Sequence, residues 1–450
     1  MEPLALTVIA AAVVTQLFVE PIVGMADNRD YYRVMRQIGV HYLDNPELTV
    51  FRNIQRTFAL GPISEVNYFT SAVPLGKLAV WLSRPLSPDG RFDIRMMGLV
   101  HSIFYLGAVA IFLCAFRRRS ASIRVVVACA SAALFSDVRL VSYFNSFFSE
   151  GAQLIFLIFT VGLSLLLCRP ARVHRAGALY LAWYGSALLF CLAKTQDIIF
   201  CFPFSLLAFR FLPRGRLPTW VRACAGAGFL ALFVWTIVSD AYLDTRHMNL
   251  HVVLHEEILV HSPNPQADVE ELALDGAQAD GFLNIVRFCL RHSDRWFELL
   301  HRRMSMTFDY IPFGNFELPK TGVSHSFDLW SEWKRKHYPR SIYFGATALV
   351  SYLGILAYKS RRIGVLRRDR NDSLFHALLA LSCLAEFSVV GTFEANGPQK
   401  HFFIFNVLVD IVCLLAVADV LSIARRDFGN AWIPTEFLST QFRHRVRANG

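Results

Sequence analysis

What this chain lacks first is a cysteine framework. Nine cysteines occur, yet Cys114, Cys129, Cys168, Cys191, Cys201, Cys224, Cys383 and Cys413 fall inside or at the ends of apolar runs, and only Cys289 lies in a long polar stretch. With no C-x-x-C pair either, both a disulfide-stapled fold and a thiolate metal site are excluded. Charge is also scarce, at 18% of residues against 54% hydrophobic and 14% aromatic, with a mean hydropathy of +0.39. That is more apolar side chain than a soluble domain carries, so a soluble class is excluded. Acidic residues are outnumbered by basic ones, 35 to 45, for a net charge of +10. The basic residues sit in short spacers between apolar runs, the pattern of membrane topology and not of a nucleic-acid surface. No internal repeat is visible, which removes one common sign of a secondary transporter.

What is present is a series of apolar runs. A membrane span needs about 20 such residues, and the candidates are Leu4 to Val23, Met96 to Phe116, Ile123 to Phe135, Gly151 to Cys168, Ala176 to Leu192, Ile198 to Leu212, Ala223 to Val238, Ile342 to Tyr358, Leu374 to Val390 and Phe402 to Ile423. The third and sixth are short, which suits a tilted or re-entrant element. The first is too long for a signal-peptide core and lacks a small-residue cleavage site, so it reads as a retained anchor. The expected fold is an all-α polytopic membrane protein with about ten transmembrane helices, one domain over 1–450.

Orientation follows from the basic spacers Arg117 to Arg119, Arg169 to Arg175, Arg214 to Arg216, Lys359 to Arg370 and Arg425-Arg426, which share one side if the N-terminus is cytoplasmic. Both termini, including a tail over 424–450, are then cytoplasmic in a plasma (inner) membrane. Two long loops, 24–95 and 240–341, lie outside together with short loops Ser136 to Glu150, Lys194 to Asp197 and Gly391 to His401. The first long loop opens on a helix after Asp30. The second holds helical patterns over His247 to His261 and Phe282 to Met304, the latter basic and amphipathic enough to lie in the interface plane.

Chemistry concentrates where the first apolar run ends in a burst of charge, with Asp27, Arg29, Asp30 and Arg33 inside seven residues. Asp27-x-x-Asp30 fits a helix N-cap with an acid at N3. It also supplies what glycosyl transfer from a lipid phosphate requires: a base for the acceptor hydroxyl, and cations for the departing phosphate. The remaining outer loops add Asn145, Ser146 and Glu150, then Lys194, Gln196 and Asp197, then Lys400 and His401, with Asn406 and Asp410 in the last span. Glu150 could orient acceptor hydroxyls or complement a helix N-terminus; Lys194 could contact phosphate or snorkel to the interface. His247, His251 and His255 are spaced four apart with Glu256 and His261 near, a weak zinc signal because no acid stands in the H-E-x-x-H arrangement. Asn371-Asp372-Ser373 matches a glycosylation sequon but falls on the cytoplasmic side.

Taken in order, Ala26-Asp27-Asn28-Arg29-Asp30-Tyr31-Tyr32-Arg33-Val34-Met35, Tyr143 to Glu150, Ala193-Lys194-Thr195-Gln196, and Lys400-His401 with Phe405-Asn406 and Asp410 resemble the C-type (GT-C) membrane glycosyltransferases, and more closely the bacterial WsfD-like hexose transferases of glycan biosynthesis. The resemblance implies a polyprenyl phosphate sugar donor, a glycan or glycolipid acceptor, and chemistry on the extracytoplasmic face. It implies Asp30, partnered by Asp27, as base or metal-coordinating acid. Arg33, Asn145, Glu150, Lys194, Gln196, Lys400 and His401 become the expected substrate-binding residues. Arg29 stands where the family pattern has Gly, and an adjacent guanidinium would lower the pKa of Asp30. Two carboxylates beside a phosphate would suit Mg²⁺ or Mn²⁺, though nothing in the sequence requires a metal. A transporter or flippase for lipid-linked sugars, using the same residues without chemistry, is the alternative; a non-catalytic scaffold is the third.

Overall fold

The computed structural model describes residues 1–66, 68–87, 89–168, 173–212, 218–239, 250–272, 281–309, 314–320, 322–363, 367–393 and 398–428. All ten apolar runs are helical in it. Among the described residues six helices are long and apolar enough to cross a membrane by themselves: Arg95–Cys114, Glu150–Leu167, Thr219–Val238, Ile342–Arg361, Asn371–Phe393 and Phe403–Arg426. The third run, Ala121–Phe135, bends by 54° into Val138–Phe144, and the pair counts as a seventh span if taken together. The sixth run is a 3-10 turn, Thr195–Phe200, continuing into an 11-residue helix, Cys201–Phe211. The first and fifth runs, Glu2–Phe18 and Ala176–Cys191, are apolar but shorter. The architecture is therefore an all-α polytopic membrane protein.

Burial explains why lipid is its solvent. Helix Glu150–Leu167 has 83% of its residues inside the protein, whereas Thr219–Val238 and Ile342–Arg361 have only 22% and 17%. Leu181, Trp220, Val238, Tyr343 and Val350 point outward from apolar helices. In water such surface would cost roughly 25 cal/mol per Å²; against hydrocarbon it costs nothing. Within the bundle Arg95–Cys114 packs on Glu150–Leu167, which packs on Val173–Cys191, while Cys201–Phe211 packs on Thr219–Val238 and Arg367–Phe393 on Phe403–Phe428. Where three of these helices meet, Phe204 packs edge-on with Trp183 and with Phe190, a geometry favoured by ring quadrupoles, and Phe229 tilts against Trp183 and Phe204.

The long loops are built structures, and they contain strands that no sequence pattern marked. Strand β1 (Val23–Met25) leaves the first helix and pairs antiparallel with a distant strand, Asn315–Glu317, in the second long loop, Val23 opposite Glu317 and Met25 opposite Asn315. Helix Tyr32–Ile38 follows, ended by Gly39 at φ 73°, whose N–H returns to Arg36 and Met35 carbonyls. Glycine adopts that left-handed position without the Cβ penalty. Val40–His41, Thr57–Leu60 and Arg91–Asp93 then form a three-stranded sheet, and helix Ala72–Ser83 lies between the last two of these strands in the chain.

The expected helix over Phe282 to Met304 is two helices, Gly281–Arg291 and Ser293–Met306, broken at His292. Four of its five arginines pair with acids: Arg291 with Glu271, Arg295 with Asp268, Arg302 with Glu298 and Arg303 with Glu257. Trp296 anchors the pair by donating to Thr392 Oγ1 at 2.9 Å. Of the histidine series, His247 lies outside the described residues, and His251 and His255 are exposed on one helical stretch with their rings tilted and 4.3 Å apart. The basic spacer 214–216, most of the tail and residues 394–397 likewise lie outside them.

Candidate active site

Four segments remote in sequence meet at one end of the bundle: the turn before helix Tyr32–Ile38, the first residue of helix Glu150–Leu167, Lys194 with the 3-10 turn Thr195–Phe200 that it caps, and the short helix Pro398–His401. Lys400 Nζ donates to Asp30 Oδ2 at 2.6 Å and lies 3.8 Å from Glu150 Oε1. Arg33 holds the other Asp30 oxygen at 3.3 Å. Lys194 pairs with Glu150 at 3.0 Å and approaches His401 Nδ1 at 3.5 Å. Gln196 donates to the His401 carbonyl at 3.1 Å and to Glu386 Oε1 at 2.7 Å. Three cations thus face two carboxylates.

Exposure grades this cluster. Glu150, Lys400 and Lys194 side chains are 1%, 3% and 9% exposed, whereas Asp30 and Arg33 reach 25% and 16%. The open rim is therefore Asp30 with Arg33, and the lysines and Glu150 form the floor. Aromatic faces shape it: Lys400 Nζ lies 4.0 Å over the Phe148 ring and the Arg33 guanidinium 4.9 Å over Tyr68. Both are within the range of cation–π attraction.

The local electrostatics differ from the expectation at one point. Arg29 does not sit on Asp30: at φ 75° it turns outward and pairs with Glu47 at 3.1 Å in the open. Burial pushes the Asp30 pKa up, but Lys400 and then Arg33 outweigh it and hold the carboxyl well below the usual range. Burial lowers the His401 pKa, and Lys194 and Lys400 lower it further, so the imidazole is neutral at pH 7. It is a polar contact and not a fourth cation.

Asp27 stands one step behind. Its Oδ1 accepts the Tyr31 N–H at 3.0 Å and its Oδ2 the Tyr42 hydroxyl at 2.5 Å. Burial raises its pKa against the lowering by those two bonds. The cap pattern put the first helical residue at Asn28, but the helix begins four residues later, at Tyr32, so Asp27 fixes the turn before it and is not its N-cap. Asn145 is placed apart from the cluster: fully buried, it donates to the Leu17 and Val23 carbonyls at 3.1 and 2.8 Å, holding the end of the first helix to β1.

A divalent ion does not fit between Asp27 and Asp30. The oxygens of Asp27 are committed to Tyr31 and Tyr42, and those of Asp30 to an ammonium and a guanidinium. Among the described residues, Asp372, His376 and Asp419 alone bring three such ligand atoms within 4.8 Å. There Lys359 already bridges the two carboxylates at 2.9 and 2.6 Å, which is a neutralised structural pair.

Beyond the expected residues, the site includes Glu386 on Gln196, and Gln153 donating to Asp197 at 2.6 Å. Glu386 had a legible signal, an acid in the middle of an apolar run, since such residues normally face protein or water. Tyr42 and Tyr68 carried none.

The family described as the YfdI N-terminal transmembrane domain matches residues 1–280 and 277–432. No curated protein matches the sequence. Among solved structures, the apo oligosaccharyltransferase of Archaeoglobus fulgidus is similar over 96% of this chain and 52% of its own, with a TM-score of 0.44 and 12% identity. The archaeal oligosaccharyltransferase AglB from the same organism, in complex with an inhibitory peptide and a dolichol-phosphate, is similar over 94% of this chain and 50% of its own, again at 0.44 and 12%. The chain spans about half the length of these structures.

Proposed function

The chain belongs to the YfdI N-terminal transmembrane domain family, and on that premise we propose that it is an integral-membrane glycosyltransferase of the GT-C type. In this reading it moves a hexose-like sugar from a polyprenyl phosphate to a glycan or glycolipid on the extracytoplasmic side of the plasma membrane, as the WsfD-like transferases are held to do. The observation that carries it is the Asp30 carboxylate at a rim with Arg33, above a floor of Lys400, Lys194 and Glu150.

The chemistry follows from that layout. An acceptor hydroxyl attacks the anomeric carbon, the bond from that carbon to the phosphate oxygen breaks, and the polyprenyl phosphate leaves with the electron pair. Arg33 and Lys400 stabilise the charge that develops on the departing phosphate, where preorganised cations act most strongly. Asp30 takes the hydroxyl proton. In the unliganded protein it is too acidic for that task, because both cations serve it. A phosphate entering the rim draws Lys400 and Arg33 toward itself, which lets the Asp30 pKa rise toward the range of a useful base. In this reading Glu150, held by Lys194 on the floor, accepts hydrogen bonds from acceptor hydroxyls once the rim has opened to substrate.

The test is turnover of labelled polyprenyl phosphate hexoses by purified protein with candidate acceptors. Wild type is expected to form product and Asp30→Asn to lose at least ~10²-fold in rate, the usual contribution of general base catalysis. Equal turnover in the two would remove Asp30 from the chemistry. Binding without product in either would leave lipid-sugar transport as the function.

A further inference from the structure

Glu386 is fully buried in helix Arg367–Phe393, inside the apolar run from Leu374 to Val390. A carboxylate in such a place is costly unless partners answer it, and an apolar side chain of the same size would fill the space at no such cost. Packing therefore does not account for Glu386, and the transfer chemistry above gives it no task.

Its partner is the amide of Gln196, on the 3-10 turn that follows Lys194. Gln196 Nε2 donates to Glu386 Oε1 at 2.7 Å and to the carbonyl of His401 at 3.1 Å. A carboxylate only accepts, so Glu386 turns the nitrogen end of that amide toward itself and toward the His401 carbonyl. The oxygen end is then left facing the His401 ring, 3.5 Å from Nδ1. Gln196 thus grips both the backbone and the ring of one residue, in an orientation that Glu386 sets. The next residue along the same helix adds a second hold, since Phe387 stacks on Phe402 with ring centroids 5.4 Å apart.

His401 in turn carries Lys400. Helix Pro398–His401 has four residues, and a single turn is not stable by its own hydrogen bonds, so its place depends on what anchors it. The Lys400 ammonium has contacts of its own, with Asp30 at 2.6 Å, Glu150 at 3.8 Å and the Phe148 ring at 4.0 Å. In the transfer reading an arriving phosphate draws that ammonium away from Asp30, and the side-chain contacts no longer keep the turn in register. The grip on His401 does. We propose that Glu386 is a positioning residue, which acts through Gln196 and His401 to keep Lys400 beside the Asp30 carboxylate and the departing phosphate. Its part in catalysis rests on the sugar-transfer reading; its hold on Lys400 does not.

The experiment follows the Asp30 titration by carboxyl ¹³C NMR on the full chain in lipid nanodiscs, assigned with Asp30→Asn, alongside initial rates. Burial raises the Asp30 pKa, and Lys400, ahead of Arg33 and His401, is the largest influence lowering it, so this titration reports where the ammonium sits. Glu386→Leu removes the acceptor, whereas Glu386→Gln keeps an oxygen that can take the same N–H. In Glu386→Leu the Asp30 titration is expected to move to higher pH, toward its place in Lys400→Met, and kcat to fall ~10²-fold, the effect of misplacing a catalytic group by about 1 Å. Glu386→Gln is expected to keep both close to wild type. Gln196→Leu breaks the same link from its other end and should match Glu386→Leu, with no further loss when the two are combined. Thermal unfolding midpoints identify folded variants, and Gln196→Leu stands in for Glu386→Leu if that chain fails to fold. A lowered midpoint with an unmoved Asp30 titration would overturn the proposal and make Glu386 a purely structural residue. Because the titration needs no substrate, a shift in a protein without turnover would sink the transfer reading alone, and turnover with an unmoved titration would sink the positioning role alone.

Discussion

Lys400 and Asp30 lie 370 positions apart in the chain, and their charged atoms are 2.6 Å apart in the fold. The ammonium is almost fully enclosed, while a quarter of the carboxylate is open to what arrives from outside. A buried cation thus aims an exposed acid.

Replacing Lys400 by Met is expected to slow transfer by ~10²–10³-fold, the usual consequence of removing one preorganised electrostatic contact. The same change should raise the Asp30 pKa, since the largest opposing influence on its burial is then gone. The pH dependence of initial rates reads both effects: the acid limb should move to higher pH in Lys400→Met. An unmoved limb would mean that the group titrating there is not Asp30.

Acid sensitivity of stability should come from His401. Its pKa is lowered in the folded state, so between that value and the unfolded value near ~6.5 the unfolded chain binds a proton that the folded chain does not. Stability then rises with pH through that window and is fully present above it. Asp30, whose pKa is also depressed, adds the same sign only below ~4. Thermal unfolding of detergent-solubilised protein should show a drop in midpoint between pH 7 and pH 5, smaller in His401→Gln.

Tyr42→Phe tests Asp27. The change leaves one carboxylate oxygen without its donor in a residue only 6% exposed, at a cost of ~1–3 kcal/mol for a buried unsatisfied group. A lowered unfolding midpoint with nearly normal KM is the expected outcome; an unchanged midpoint with a large loss of kcat would instead place Asp27 in the chemistry.

Asn145→Ala distinguishes a scaffold residue from a substrate contact. It strands the carbonyls of Leu17 and Val23, so a loss of ~2–6 kcal/mol is expected from two unpaired buried acceptors. Expression and midpoint should fall together, while KM for donor and acceptor in the surviving protein stays close to wild type.

The helices were legible because the bilayer imposes a length, and ten apolar runs separated by basic spacers satisfy most of it. The clustering of charge after the first run, and the short loops at Glu150, Lys194 and Lys400, were legible as polarity where polarity is expensive. Partners were not. Whether Lys400 serves Asp30, and whether Lys334 and Lys359 serve Asp410 and Asp419, depends on helices packing across hundreds of residues. Arg29 was misread as the neighbour of Asp30 because adjacency in sequence says nothing about a positive φ. Strands three residues long, such as Val23–Met25, carry too little alternation to register as strands.

That strand pair couples the two long loops, since Val23–Met25 is hydrogen-bonded to Asn315–Glu317. Its consequence is a clasp between the segment after the first helix and one almost 300 residues later, beside the charged rim. A chain nicked within 240–249 should therefore stay associated, and two separately expressed fragments should complement one another in the same membrane.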